Sequence, residues 1–213
     1  NDVKQCVDSL MVWANRYVFS DRIHIIGESS GAYLAMMYAL QYRNPKTPSV
    51  IAISPATDLA DTNMINAASS LHIVKYNDPL CGFWIFPSPT SELTLFDLGA
   101  DFVGTAHYPN HNIAVLGNPC INILPNVKNY PLNCGATPYA NAKLPDVLLI
   151  HGSNDQMVAA QQVITVDSLF AANPVFTHNH KLVFLPFDHG YLGSTVAVQA
   201  QIDSVTAQWV TSY

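Results

Sequence analysis

Residues 22–42, RIHIIGESSGAYLAMMYALQY, pass from a β-branched apolar run through Gly27-Glu28-Ser29-Ser30-Gly31 straight into a helical pattern. A strand that turns into a helix without an intervening loop leaves the chain few paths. The residue at the apex takes a strained backbone conformation, and its neighbours two positions away on either side must be small for the two elements to pass. Gly27 and Gly31 meet that requirement around Ser29 only; centred on Ser30, the flanking residues would be Glu28 and Ala32. Such a turn presents the Ser29 hydroxyl at the top of a sheet. It also sets the Ser30 backbone N–H at a helix N-terminus, where it can donate to a developing oxyanion.

The rest of the chain supplies the sheet. Val3, Cys6, Val7, Leu10, Met11, Ala14 and Tyr17 follow helical spacing and predict an opening helix with one face for a sheet to receive. RIHIIG (22–27), SVIAIS (49–54), DVLLIHG (146–152) and KLVFLP (181–186) read as strands. Helices are expected at 32–42, from about 159 to 172 and from about 195 to 211. This alternation predicts an α/β fold, a mostly parallel sheet with helices on both faces. Between 60 and 143 the periodicity fails, and Pro, Asn, Ser and Gly punctuate short apolar pieces. A stretch that long is either a lid over the sheet's edge or a small subdomain. The chain is therefore read as a single domain over 1–213, with 60–143 as a lid-like or cap-like insert after the second strand.

Composition narrows the partners. Charged residues make up 11% of the 213 and the net charge is −6, so nucleic acid and anionic lipid are not expected partners. No apolar run reaches the length of a membrane span. Cys6, Cys81, Cys120 and Cys134 match no zinc template, and no metal or cofactor is expected. Cys120 and Cys134 bracket an Asn- and Pro-rich stretch that a crosslink would hold at roughly 3 kcal/mol; the other reading is buried or free thiols. An even cysteine count with few charges points to a secreted or periplasmic protein.

A serine is a poor nucleophile until a base takes its proton and an acid orients that base. In open parallel sheets chemistry gathers at the carboxyl ends of the strands. Asp155 follows the 146–152 strand and His189 follows the 181–186 strand. The segments DRIHIIGESSGAYLAMM, LPDVLLIHGSNDQMV and FLPFDHGY resemble those of α/β-hydrolase esterases, the hormone-sensitive-lipase-like and related small esterases, most clearly over 1–58 and 140–213. The resemblance implies Ser29 as nucleophile, His189 as base, Asp155 as orienting acid and Ser30 N–H as one oxyanion donor. Asp58 is an alternative acid or a helix-capping residue, and Asp188 is too near His189 in sequence to orient it. His151 resembles a structural histidine of the family. Glu28 stands where the family often has an acidic residue of structural use and is assigned no chemistry. His24 falls within a strand, and His72, His107, His111, His178 and His180 are placed in solvated loops.

The family's His-Gly-Gly oxyanion loop precedes the nucleophile, yet the 28 residues before Ser29 hold no glycine before Gly27. The chain is expected to be a truncated or processed α/β-hydrolase. Its first strand would show an apolar edge, covered by an N-terminal companion chain or a second copy, or left in a rearranged, weakly active fold. Phe83, Trp84, Ile85, Phe86 and Phe102 either line the substrate pocket from the insert, with Trp84, Phe83 and Phe86 as contacts, or form the insert's own core. The function expected is hydrolysis of a small, uncharged carboxylic ester by an esterase or lipase. The alternatives are a serine peptidase on the same three residues and an inert fragment or binding scaffold.

Overall fold

The computed structural model of the chain describes residues 2–17, 22–78, 82–102, 116–130, 134, 143–176, 178–191 and 194–213. The first half runs α1 (Asp2–Tyr17), β1 (Ile25–Glu28), α2 (Ser30–Tyr42), β2 (Ser49–Ile53), α3 (Thr62–Ser70), β3 (Ile73–Asp78) and β4 (Gly82–Pro87). There follow α4 (Leu95–Phe102), α5 (Ile123–Lys128), β5 (Asp146–Gly152), α6 (Ala160–Ala172), β6 (His180–Leu185) and α7 (Val196–Val210). Strands β1, β2, β5 and β6 lie in that spatial order and pair in parallel throughout.

Alternation along the two central strands divides the core. Val50, Ala52, Val147 and Leu149 pack on α2, α5 and α6, while Ile51, Ile53, Leu148 and Ile150 pack on Val198 and Ile202 of α7. Every residue of β2 and β5 is buried, as a sheet covered on both faces requires. Each fully buried aliphatic side chain contributes about 1.5–3 kcal/mol relative to exposure. The fold is thus α/β, with helices on both faces of a parallel sheet.

Three sequence expectations change. The opening helix exists, but Val7 and Met11 pack against Tyr38 of α2, and Cys6, Leu10 and Tyr17 are exposed. Its apolar stripe is wider than the face it buries. The first strand starts at Ile25, not Arg22, so His24 lies ahead of it and not within it: the chain before Ile25 is held by Ile23 N–H to Lys46 O, His24 Nδ1 against Ser49 Oγ and Arg22 Nη1 to Tyr213 O rather than by a strand ladder. His178 and His180 are not in a solvated loop. Strand pairing reaches back to Asn179, whose carbonyl accepts from Val147 N–H, so His180 lies on β6 and His178 is buried edge-on to Phe170 and Phe176.

The segment between β2 and β5 is more regular than its sequence suggests. It holds α3, an antiparallel β3–β4 pair, α4 and α5, with Ile123, Leu124 and Val127 of α5 completing the core beside α2. Cys120 and Cys134 are disulfide-bonded with a Cα–Cα distance of 5.2 Å, and Cys6 is a free, exposed thiol; Cys81 lies outside the described residues. Tyr33 Oη donates to Ile121 O and Gln41 Nε2 to Cys120 O, which ties that crosslinked stretch to α2.

Among the described residues β1 pairs with β2 alone, and Ile26 is 55% exposed. A cavity of about 410 Å³ opens there between Ile26, Ile53 and the Ile202–Thr206 stretch of α7. Among the described residues no helix is long and apolar enough to cross a membrane.

Candidate active site

β1 ends at Glu28 and α2 begins at Ser30, leaving Ser29 alone at the joint with φ 51° and ψ −116°. A non-glycine residue with positive φ is strained, and such strain persists only where its surroundings enforce it. The enforcement is visible on both sides: Ser29 N–H donates to Ile53 O and Ser29 O accepts from Tyr33 N–H. Gly27 is required by contact, since a Cβ there would stand 2.2 Å from Gly31 O. Gly31 is not required in the same way, because a Cβ built on it meets nothing within 4 Å. Close passage of strand and helix therefore demands glycine at 27, as the sequence predicts, but not at 31.

Two loops converge on this joint, one after β5 and one after β6. His189 Nε2 stands 2.8 Å from Ser29 Oγ, and His189 Nδ1 stands 2.9 Å from Asp155 Oδ2. The Asp155 side chain is fully buried and His189 is 16% exposed. Asp155 Oδ1 accepts from Met157 N–H and Val158 N–H, both at 2.9 Å. Burial pushes the Asp155 carboxyl up, but the His189 hydrogen bond and the Val158 amide outweigh it and hold the group below its ordinary value. An ionised carboxylate only accepts, so the His189 Nδ1 facing it carries the proton. In the neutral ring Nε2 then holds its lone pair toward the Ser29 hydroxyl.

His151 is buried behind the segment after β5 that carries Asp155, the acid loop, with Nε2 3.0 Å from Val158 O and 3.7 Å from Asp155 Oδ2. Burial lowers its pKa, which keeps the ring neutral at pH 7. His189 Nδ1 faces Asp155 and not Asp58, whose Oδ1 accepts from Ala60 N–H and Asn122 Nδ2, and Asp61 is the residue that caps α3. Asp188 Oδ1 accepts from Gln156 N–H at 3.3 Å, joining the histidine loop to the acid loop. Ser30 opens α2, so its N–H belongs to the first helical turn, whose donors have no intrahelical acceptor.

Phe83, Trp84 and Phe86 lie on β4 opposite Asn77, Tyr76 and Val74. Their side chains, with those of Ile85 and Phe102, lie outside what is described, as do His107 and His111. His72 is exposed, with Nδ1 2.7 Å from Ser91 O. Among the described residues no three His, Cys, Asp or Glu side chains converge as metal ligands. Sequence reasoning missed Gln162, which is 4% exposed. Its Oε1 accepts from Thr57 N–H and Asp58 N–H, and its Nε2 donates to Asp61 Oδ2, fixing the loop that leaves β2. A lone glutamine in a helix carries no sequence signal for such a role.

A parallel sheet whose strand β1 kinks through Gly27-x-Ser29-x-Gly31 into a helix defines an α/β-hydrolase. The family model described as BD-FAE matches residues 1–169, and the chain belongs to that family, an α/β-hydrolase esterase family. Solved structures share the fold. The esterase domain of a Rhodothermus marinus protein is 16% identical with a TM-score of 0.51, the match covering 97% of this chain and 68% of that one. An acetyl ester-xyloside bifunctional hydrolase from Caldicellulosiruptor lactoaceticus is 14% identical with a TM-score of 0.55, over 99% of this chain and 64% of that one. A truncated carbohydrate esterase from gut microbiota is 16% identical with a TM-score of 0.55, over 97% and 67%. The chain thus spans about two thirds of the length of these relatives. No curated protein matches it significantly.

Proposed function

We propose that the protein hydrolyses a carboxylic ester through an acyl-enzyme on Ser29. The observation that supports this reading is the unbroken hydrogen-bonded line from Ser29 Oγ through His189 to Asp155, at 2.8 and 2.9 Å. As Oγ attacks the ester carbonyl, His189 Nε2 accepts its proton and the Ser30 N–H donates to the oxyanion. Asp155 stabilises the resulting imidazolium. Collapse breaks the carbonyl–alkoxy bond, and His189 returns the proton to the leaving alcohol. Water, deprotonated by the same nitrogen, then attacks the acyl carbon and releases the acid and Ser29.

An uncharged acyl or alkyl group suits a chain with nine basic residues and no cluster of them at the site. Carbohydrate-linked esters belong among the substrates to be tried, given what the structural relatives act on. Residues 60–143 serve as a lid or cap in this reading, with Trp84, Phe83 and Phe86 contributing pocket contacts. The flank of β1 is the face that a companion chain or a second copy would cover. The Cys120–Cys134 bond supports a secreted or periplasmic protein.

The test is labelling with a fluorophosphonate probe, followed by rates on p-nitrophenyl esters and aminoacyl anilides. Ser29→Ala should abolish labelling and lower ester turnover by about 10⁴-fold or more. Labelling that survives in Ser29→Ala would sink the assignment, wild-type protein that never labels would mark an inert scaffold, and preference for anilides would make it a peptidase.

A further inference from the structure

We propose that Glu28 is a positioning residue that sets the distance from His189 to Ser29 by gripping the far side of the histidine loop. The proposal rests on the reading of Ser29 as nucleophile. The near side of the loop is fixed to the acid loop: Phe187 O accepts from Asn154 N–H at 3.1 Å and Asp188 Oδ1 accepts from Gln156 N–H. The two loops pass so closely that a Cβ on Gly152 would stand 2.3 Å from Asp188 O. Those ties hold the residues before His189. Beyond His189, Glu28 Oε1 accepts from Tyr191 N–H at 2.7 Å, a short bond of the kind a charged acceptor makes.

Gly190 makes that bond reachable. It adopts φ 102°, and a Cβ there would come within 2.5 Å of Glu28 Oε1, so the carboxylate rests against backbone that only glycine can offer. Glu28 is covalently joined to Ser29. One residue therefore carries the nucleophile on its backbone and the chain two residues past the base on its side chain. Tyr191 is also tied to α7, its carbonyl accepting from Gln199 Nε2 and its Oη donating to Asp203 Oδ2, both at 3.2 Å. Without the Glu28 bond the histidine loop keeps those ties and loses its tie to the strand that carries Ser29. A displacement of about 1 Å at a reacting group can cost on the order of 10²-fold in rate. Glu28 exchanges no proton and acts through His189.

Glu28→Ala and Glu28→Asp, the latter too short to reach, should each lower kcat roughly 10- to 100-fold on an activated ester while KM changes less than about threefold. Fluorophosphonate labelling of Ser29 should slow by a similar factor. Glu28→Gln keeps an Oε1 acceptor and should retain most of kcat. Wild-type kcat in both shortened variants overturns the proposal, and so does a Gln variant as impaired as Ala, which would assign the effect to charge. If the Ala variant does not fold, the Asp and Gln pair carries the comparison. Ser29→Ala run beside them separates the two ideas: an inactive Ser29→Ala with an unimpaired Glu28→Asp removes the positioning role alone, whereas an active Ser29→Ala removes the proposed function.

Discussion

At Ser29 the chain holds a conformation that costs about 1–3 kcal/mol in isolation, and the spacing of Gly27 and Ser29 made that residue legible from sequence. The reading succeeded because steric exclusion is local: everything it needs lies within a few residues. His178 shows the opposite case. Its neighbours His180 and Asn179 read as polar, yet the ring is 6% exposed and neither nitrogen has a hydrogen-bond partner among the described residues. Burial, with a smaller contribution from His180, pushes its pKa down to about 4 from 6.5. The unfolded chain binds a proton below pH 6.5 that the folded chain refuses until about pH 4. Stability should therefore be unaffected by this residue above pH 6.5 and fall between 6.5 and 4, by roughly 3 kcal/mol in all at about 1.4 kcal/mol per pH unit. His178→Leu should flatten that part of the profile in urea denaturation, and an unchanged slope would remove His178 as its cause.

Between elements, the crossing of β1 and α2 rests on one atom's absence. Gly27→Ala would drive a methyl group into the Gly31 carbonyl and the Ala32 nitrogen, 2.2 and 2.6 Å away, and backbone on both sides cannot yield cheaply. The variant should lose about 3 kcal/mol or more. Gly31→Ala lies inside α2 with open space around the new Cβ, and should gain up to about 1 kcal/mol from helix propensity. Equal destabilisation of both variants in chemical denaturation would show that the joint is not built as described. Helices α1, α6 and α7 were legible because one-sided burial imposes a period of 3.6 on their sequences, and α2, β2 and β5 because burial all round leaves continuous apolar runs. The β3–β4 pair was not, since Val74 and Tyr76 of β3 are exposed and no alternation marks its face. The docking of α6 onto the loop after β2 was equally hidden, being carried by Gln162 rather than by apolar contact.

The whole chain is closed at the end of the sheet away from Ser29 by one carboxylate. Asp146 is 3% exposed, at the start of β5. Its Oδ2 accepts from Tyr213 Oη at 2.7 Å and Asn179 Nδ2 at 2.8 Å, and its Oδ1 from Asn179 N–H at 2.9 Å and Lys143 Nζ at 3.0 Å. Arg22 Nη1 donates to Tyr213 O, so residues ahead of β1, before β5, before β6 and after α7 meet at one place. Neither composition nor periodicity points to such a cluster, because its members are scattered from 22 to 213 and each reads as an ordinary surface residue. Burial alone would push the Asp146 carboxyl up; the bonds from Tyr213, Asn179 and Lys143 outweigh it and hold the group below 3.8. A depressed carboxyl adds stability that is complete above its unfolded value and disappears as pH falls through the folded one. Asp146 should thus act below about pH 4, in a window beneath that of His178. Tyr213→Phe removes one donor to a charged acceptor and should cost about 1.5–3 kcal/mol at pH 7, with a smaller further loss on acidification below pH 4. In the same unfolding series His178→Leu should change the slope from pH 6.5 to 4 and leave the acid limb, while Tyr213→Phe should do the reverse. If both variants reshape the same limb, the two groups titrate as one unit and the division of acid sensitivity between the sheet's interior and the chain's closing contact is wrong.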